Sequence, residues 1–92
     1  MAYQEPSDKL SAGVTEVHRA IESLREELEA VDSYNQRADL CTDKALKGIL
    51  EHNRDEEKEH AAMLMEWIRR QDPTFGKELK DYLFTEKPIA HS

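Results

Sequence analysis

Ninety-two residues make one small domain with a modest core, of a size that often leans on a metal or on oligomerisation. Charged residues supply 36% of the chain and hydrophobic ones 38%, with three Gly and three Pro, a mixture that favours helices over sheets. A net charge of −7 argues against a nucleic-acid partner, which would need a basic patch, and no run approaches the ~20 apolar residues of a membrane span.

In chain order, the polar start "MAYQEPSDKL" lacks the apolar stretch of a signal peptide, and a cytoplasmic protein is expected. A first helix is predicted over about residues 7–40, with Ser7 after Pro6 as its cap. Within it Val14, Val17, Ile21, Leu24, Leu28 and Val31 follow a 3-4 spacing, the seam of a helix packed against a partner. At ~1.5 Å per residue such a helix is about 50 Å long, more than a small globule needs. "CTDKA" breaks the pattern. The single Cys41 there excludes an intramolecular disulfide and reads as a helix-end thiol. Thr42 or Asp43 can cap a second helix over about 43–71. Asp72-Pro73 stops that helix and opens a short third one over about 73–84, with Phe75, Leu79, Tyr82 and Leu83 on its apolar face. "TEKPIAHS", residues 85–92, reads as a flexible tail. The expected fold is all-α and single-domain: an antiparallel two-helix hairpin plus a short C-terminal helix. Two copies would then pair across a two-fold axis into a four-helix bundle.

The chemistry lies on the second helix. Its 3-4 line runs through Leu46, Leu50, Asn53, Glu57, His60, Leu64 and Trp67: apolar at the ends, polar in the middle. Arg54, Asp55, Lys58 and Glu59 fall off this line and are expected in solvent. Glu57 and His60 stand where a core residue belongs, and an unpartnered buried carboxylate costs several kcal/mol. Three residues apart, both point the same way. Glu-x-x-His is the spacing of ferritin-like di-iron bundles, which take a further Glu from another helix. Glu27, beside the first seam on the row of Gly13, Ala20 and Tyr34, is the natural third ligand. Two chains would offer four carboxylates and two imidazoles, balancing two divalent cations. Such a set suits iron or manganese better than a structural zinc site. The plain alternative is a Glu57 hydrogen-bonded to Asn53 or a lysine.

Other candidates carry less. Glu26 and Glu29 in "REELE" read by default as solvated charge, with a looser cation site as the alternative. His18 reads as a surface residue and His52 as a local partner of Glu56. Tyr34 either hydrogen-bonds a ligand or packs. Met63 and Met65 read as filler.

"EELEAVDSYNQRAD", "HNRDEEKEHAAM", "EWIRR" and "YLFTEKPI" closely resemble the encapsulated ferritin family, over about residues 10–89. The resemblance implies a dimer that recreates a ferritin-like four-helix bundle, and five such dimers in a ring-shaped decamer. It implies a ferroxidase that oxidises Fe(II) with dioxygen at an inter-subunit di-iron site, with ligands at Glu27, Glu57 and His60. The family tyrosine falls on Tyr34, and the acids of its proposed point of metal admission on Glu26 and Glu29. Calcium, zinc or manganese would be substitutes for iron. The resemblance also implies an encapsulin shell as partner and a place inside that compartment for iron storage. Two features depart from the family pattern. Ser33 stands where relatives often carry Trp, and no Gly/Leu-rich docking peptide is seen after "IAHS". The competing reading is a non-catalytic helical oligomer that binds divalent metal as a scaffold or buffer.

Overall fold

The structure, a computed structural model, describes residues 3–91. Ser92, the end of the expected tail, lies outside them. Three α-helices carry the fold: α1 (Ala12–Leu40), α2 (Lys44–Gln71) and α3 (Pro73–Tyr82). There is no strand among the described residues. α1 and α2 form the long hairpin, and α3 folds against α2.

The boundaries follow local chemistry. α1 begins at Ala12, later than the predicted start at Ser7. Ser7–Lys9 form a separate 3-10 turn behind Pro6, and Leu10 and Ser11 are extended. Ser11 is the cap, its hydroxyl accepting from the Val14 N–H at 3.2 Å. Asp43 caps α2 through the Leu46 N–H at 2.8 Å. Asp72 serves two helices: its N–H closes α2 on the Ile68 carbonyl, and its carboxylate accepts from the Phe75 N–H at 3.0 Å to start α3. Pro73 then occupies the first turn, where no N–H is needed. A β-carbon at Gly76 would lie 3.4 Å from both Cγ and the carbonyl oxygen of Arg69, so glycine lets α3 lie close on α2.

α3 ends at Tyr82 rather than 84, because Phe84 turns into the left-handed region at φ 58°. The segment expected as a flexible tail makes contacts of its own. Residues 85–91 fold back on α3, with the Tyr82 hydroxyl donating to the His91 carbonyl at 2.7 Å and Lys87 paired to Asp81 at 3.3 Å. The N-terminal arm folds back likewise: Tyr3 stacks on His18 with ring centroids 4.1 Å apart.

The side of α1 that meets α2 is half of the predicted seam: of that 3-4 line, which continues through Asn35 and Ala38, the row of Val17, Leu24, Val31 and Ala38 is buried or half-buried, while the other row faces out. The buried residues are Ala20 and Ala38 on α1 and Ala61 and Ile68 on α2. Small side chains there let the helix backbones approach. Val14, Ile21 and Leu28, seven apart and so on one row, are exposed, as are Leu46 and Trp67 from the predicted line of α2. The contact runs along the row of Val17, Leu24, Val31 and Ala38 together with the row of Ala20, Glu27 and Tyr34. The result is a thin slab of 49 × 40 × 18 Å. Its radius of gyration is 16.9 Å, against about 12 Å for a compact chain of this length.

Candidate metal centre

Glu27 stands near the middle of α1, on the row that faces α2. Glu57 and His60 stand near the middle of α2, one turn apart. The hairpin brings these three together from two helices. His60 Nδ1 lies 3.5 Å from Glu27 Oε2 and 3.5 Å from Glu57 Oε2. One ligand atom from each residue lies within 4.8 Å of the other two.

The distances say what the cluster lacks. At 3.5 Å neither contact is a good hydrogen bond, and one Nδ1–H cannot serve two carboxylates. Glu27 Oε2 is buried with no hydrogen-bond partner. A buried, unpaired acceptor is costly, and the cost is larger for a charged one. The hydrogen bond from Asn53 or a lysine that would quiet Glu57 is not among the contacts of the described residues. Two carboxylate oxygens and one imidazole nitrogen converge from the two helices. Donors about 2.0–2.2 Å from a central cation fit this spacing after small side-chain rotations. A mixed set of two carboxylates and an imidazole accommodates iron, manganese or zinc.

The cluster is open on one side. The side chains of Glu27 and Glu57 are 25% and 23% exposed, whereas that of His60 is 42% exposed. Exposed apolar residues stand on the same side of α2 as His60, namely Ile49, Met63 and Trp67, with the His52–Glu56 pair among them. Trp67 and Leu64 share a cleft with Arg19, Ala20 and Ser23 of α1. The open side of the cluster is therefore a face with α1 residues on one flank and α2 residues on the other.

The remaining candidates stand apart. Tyr34 is two turns from Glu27, roughly 10 Å along the axis. It is half-buried with the Arg37 guanidinium 5.4 Å from its ring centre, and it does not join the cluster. Glu26 and Glu29 are exposed, and Glu29 is tied to Arg25 at 3.3 Å. Ser33 is half-buried. His52 pairs with Glu56 at 3.2 Å. Met63 and Met65 are exposed and fill no core. One residue of the expected solvated set behaves otherwise. Arg54 reaches across the hairpin to Asn35 Oδ1 at 3.2 Å, tying α1 to α2 one turn before Glu57. Nothing in a charged run marks such a residue, because its role depends on which residue the other helix puts opposite.

Comparison with known proteins gives a consistent result. A chain from a crystal structure of a Nitrosomonas europaea protein, ne0167, superposes with a TM-score of 0.94 at 71% identity, over 99% of this chain and all of that one. An encapsulated ferritin-like protein of Rhodospirillum rubrum is 58% identical over 86 residues, which are 94% of this chain and 61% of the relative's length. A ferritin-like protein of Thermotoga maritima is 52% identical over 96% of this chain and 77% of its own length. An encapsulin nanocompartment cargo protein of Myxococcus xanthus, EncC, is 38% identical over 73% of this chain and 52% of its own. The profile of the EncFtn-like family matches residues 2–86. The chain belongs to the EncFtn-like family of encapsulated ferritin-like proteins.

Proposed function

We propose that the protein is a ferroxidase whose site is completed by a second copy of the chain. The observation that carries this is the Glu27–Glu57–His60 cluster, with its orphaned carboxylate oxygen, opening onto a face that carries exposed apolar residues. One chain holds half of a di-iron set, a single Glu and one Glu-x-x-His. Two copies packed through the face of His60, Met63 and Trp67 bring four carboxylates and two imidazoles to one axis. Ferrous iron is the substrate. Each bound Fe(II) gives one electron to dioxygen, and the carboxylates favour the higher charge of the Fe(III) product. Glu27 and Glu57 hold and draw together the cations, His60 adds a neutral nitrogen donor, and the apolar residues on its side of α2 limit water. Calcium, zinc or manganese would compete for the same donors. Tyr34, Glu26 and Glu29 belong to this reading only through the family pattern: the first near the axis, the acids on the path of metal admission.

The apolar row of Val14, Ile21 and Leu28 supports a second contact. At 100° per residue Ile21 lies roughly 160° round α1 from both Arg19 and Ser23, which line the Trp67 cleft. Two apolar faces on opposite sides of the slab suit a closed ring of dimers, such as a decamer. The names of the relatives support an encapsulin shell as partner, with the oxidised iron stored inside it.

Aerobic Fe(II) oxidation, followed by ferric absorbance, tests the proposal. Glu57→Ala and His60→Ala are expected to abolish turnover while retaining helix content. Variants that oxidise iron as fast as the parent would sink it. A parent that binds iron without oxidising it would favour the metal-buffering reading instead.

A further inference from the structure

The clearest unassigned device lies beyond α3. Phe84 holds φ 58°, which a side chain with a β-carbon disfavours, and its ring is fully exposed. No burial of that ring compensates the strained turn. What holds the turn is the segment that follows it. The Tyr82 hydroxyl donates to the His91 carbonyl at 2.7 Å, and the two rings lie 4.4 Å apart. Lys87 Nζ donates to Asp81 Oδ1 at 3.3 Å. His91 Nε2 lies 3.1 Å from Asp81 Oδ2, and His91 Nδ1 lies 2.7 Å from the Pro88 carbonyl.

Both nitrogens of this imidazole thus face oxygens that can only accept. A neutral imidazole has one N–H and would set its other lone pair against an oxygen. An imidazolium donates to both. We infer that residues 85–91 form a proton-operated clasp on α3, closed when His91 is imidazolium and released when it is neutral.

The charged and titratable groups facing His91 are Asp81 and Tyr82 from α3, with Lys87 from the segment itself sharing Asp81. Lys87 engages the other carboxylate oxygen and leaves Oδ2 to His91. The Pro88 carbonyl, then Asp81, raise the His91 pKa above its ordinary value. A raised pKa in the folded state gives a contribution fully present below the free histidine value. That contribution is lost as pH rises through the clasped value. The clasp is therefore closed below the free histidine value and opens as pH rises through the clasped one. On opening, Phe84 can leave its strained φ and Tyr82 loses its cover.

Chymotryptic cleavage of the full chain after Phe84, normalised at each pH from about 5.5 to about 8.5 to an unstructured peptide of the same sequence, tests this. Protection is expected at the acid end. It should fall across the range by about tenfold for each unit by which the clasp raises the His91 pKa. His91→Gln should remove the transition, and Asp81→Asn should move it to lower pH; neither touches the hairpin. Equal protection across the range in the parent would overturn the inference. So would a transition that persists in His91→Gln.

Discussion

At the scale of single residues, the Glu27 carboxylate is the unsatisfied member of the cluster. Its Oε2 is buried without a partner, which stability alone would not select. Glu27→Gln should leave the metal-free protein as stable or more stable, by about 1 kcal/mol, since it removes an unpaired charge. Saturating divalent metal is expected to raise the melting temperature of the parent, and the same change should abolish that rise, because metal stabilises only what binds it. Denaturation with chelator and with metal reads both effects. Glu66 shows the opposite case, a fully satisfied carboxylate. Arg69 Nε and Nη2 donate to it at 2.7 and 2.6 Å and Arg70 Nε at 2.6 Å. Hydrogen bonds from Arg69 and then Arg70 hold its pKa down at about 2. Because the folded value is depressed, its contribution is present above the ordinary carboxylate value and is lost as pH falls toward 2. An NMR titration of the Glu66 side chain should show that midpoint, and Arg69→Met should move it up.

At the scale of elements, helix ends do much of the specification. Asp72 both terminates α2 and caps α3, so Asp72→Ala should cost about 1 kcal/mol, read as a lower urea midpoint. Ile68 is the largest member of a small core, and Ile68→Ala should cost about 2–5 kcal/mol by the same measurement. The α2 and α3 starts were legible in "CTDKA" and "QDPTF", because a cap is a local event between a side chain and an N–H three residues on. The start of α1 was less so. Ser7 and Ser11 are both good caps, and the 3-10 turn after Pro6 decides for Ser11. The folded-back segment 85–91 was not legible, since it depends on Phe84 taking a φ that its residue type does not advertise.

At the scale of the whole molecule, the hairpin is too thin to satisfy its own apolar residues. Four residues are buried as core, all but Ile68 alanine, while fifteen large hydrophobics are exposed among the described residues. Apolar exposure on this scale marks surfaces that associate, as the proposed pairing requires. The two apolar faces make separable predictions in sedimentation velocity. Trp67→Glu together with Met63→Glu should block pairing at the His60 face and abolish iron oxidation. Ile21→Glu on the opposite face should stop assembly at a dimer that still oxidises iron. If Ile21→Glu lost oxidation while remaining dimeric, the face of His60 would not be the one that completes the site.

The sequence by itself determined the helical class, the cap of α3, the narrowing of the α2 cap to Thr42 or Asp43, and the placing of Glu57 and His60 together one turn apart. Glu27 was legible as a polar residue beside an apolar seam. Tertiary structure decided which half of the α1 seam meets α2, the tie from Arg54 to Asn35, and the clasp on α3. The physical reason is that hydrophobic periodicity marks every surface a chain will bury, whatever buries it. Val14, Ile21 and Leu28 are as regular as any core row, yet the hairpin closes on the row of Val17, Leu24, Val31 and Ala38 together with that of Ala20, Glu27 and Tyr34. There the helices can approach closely enough for two carboxylates and an imidazole to meet.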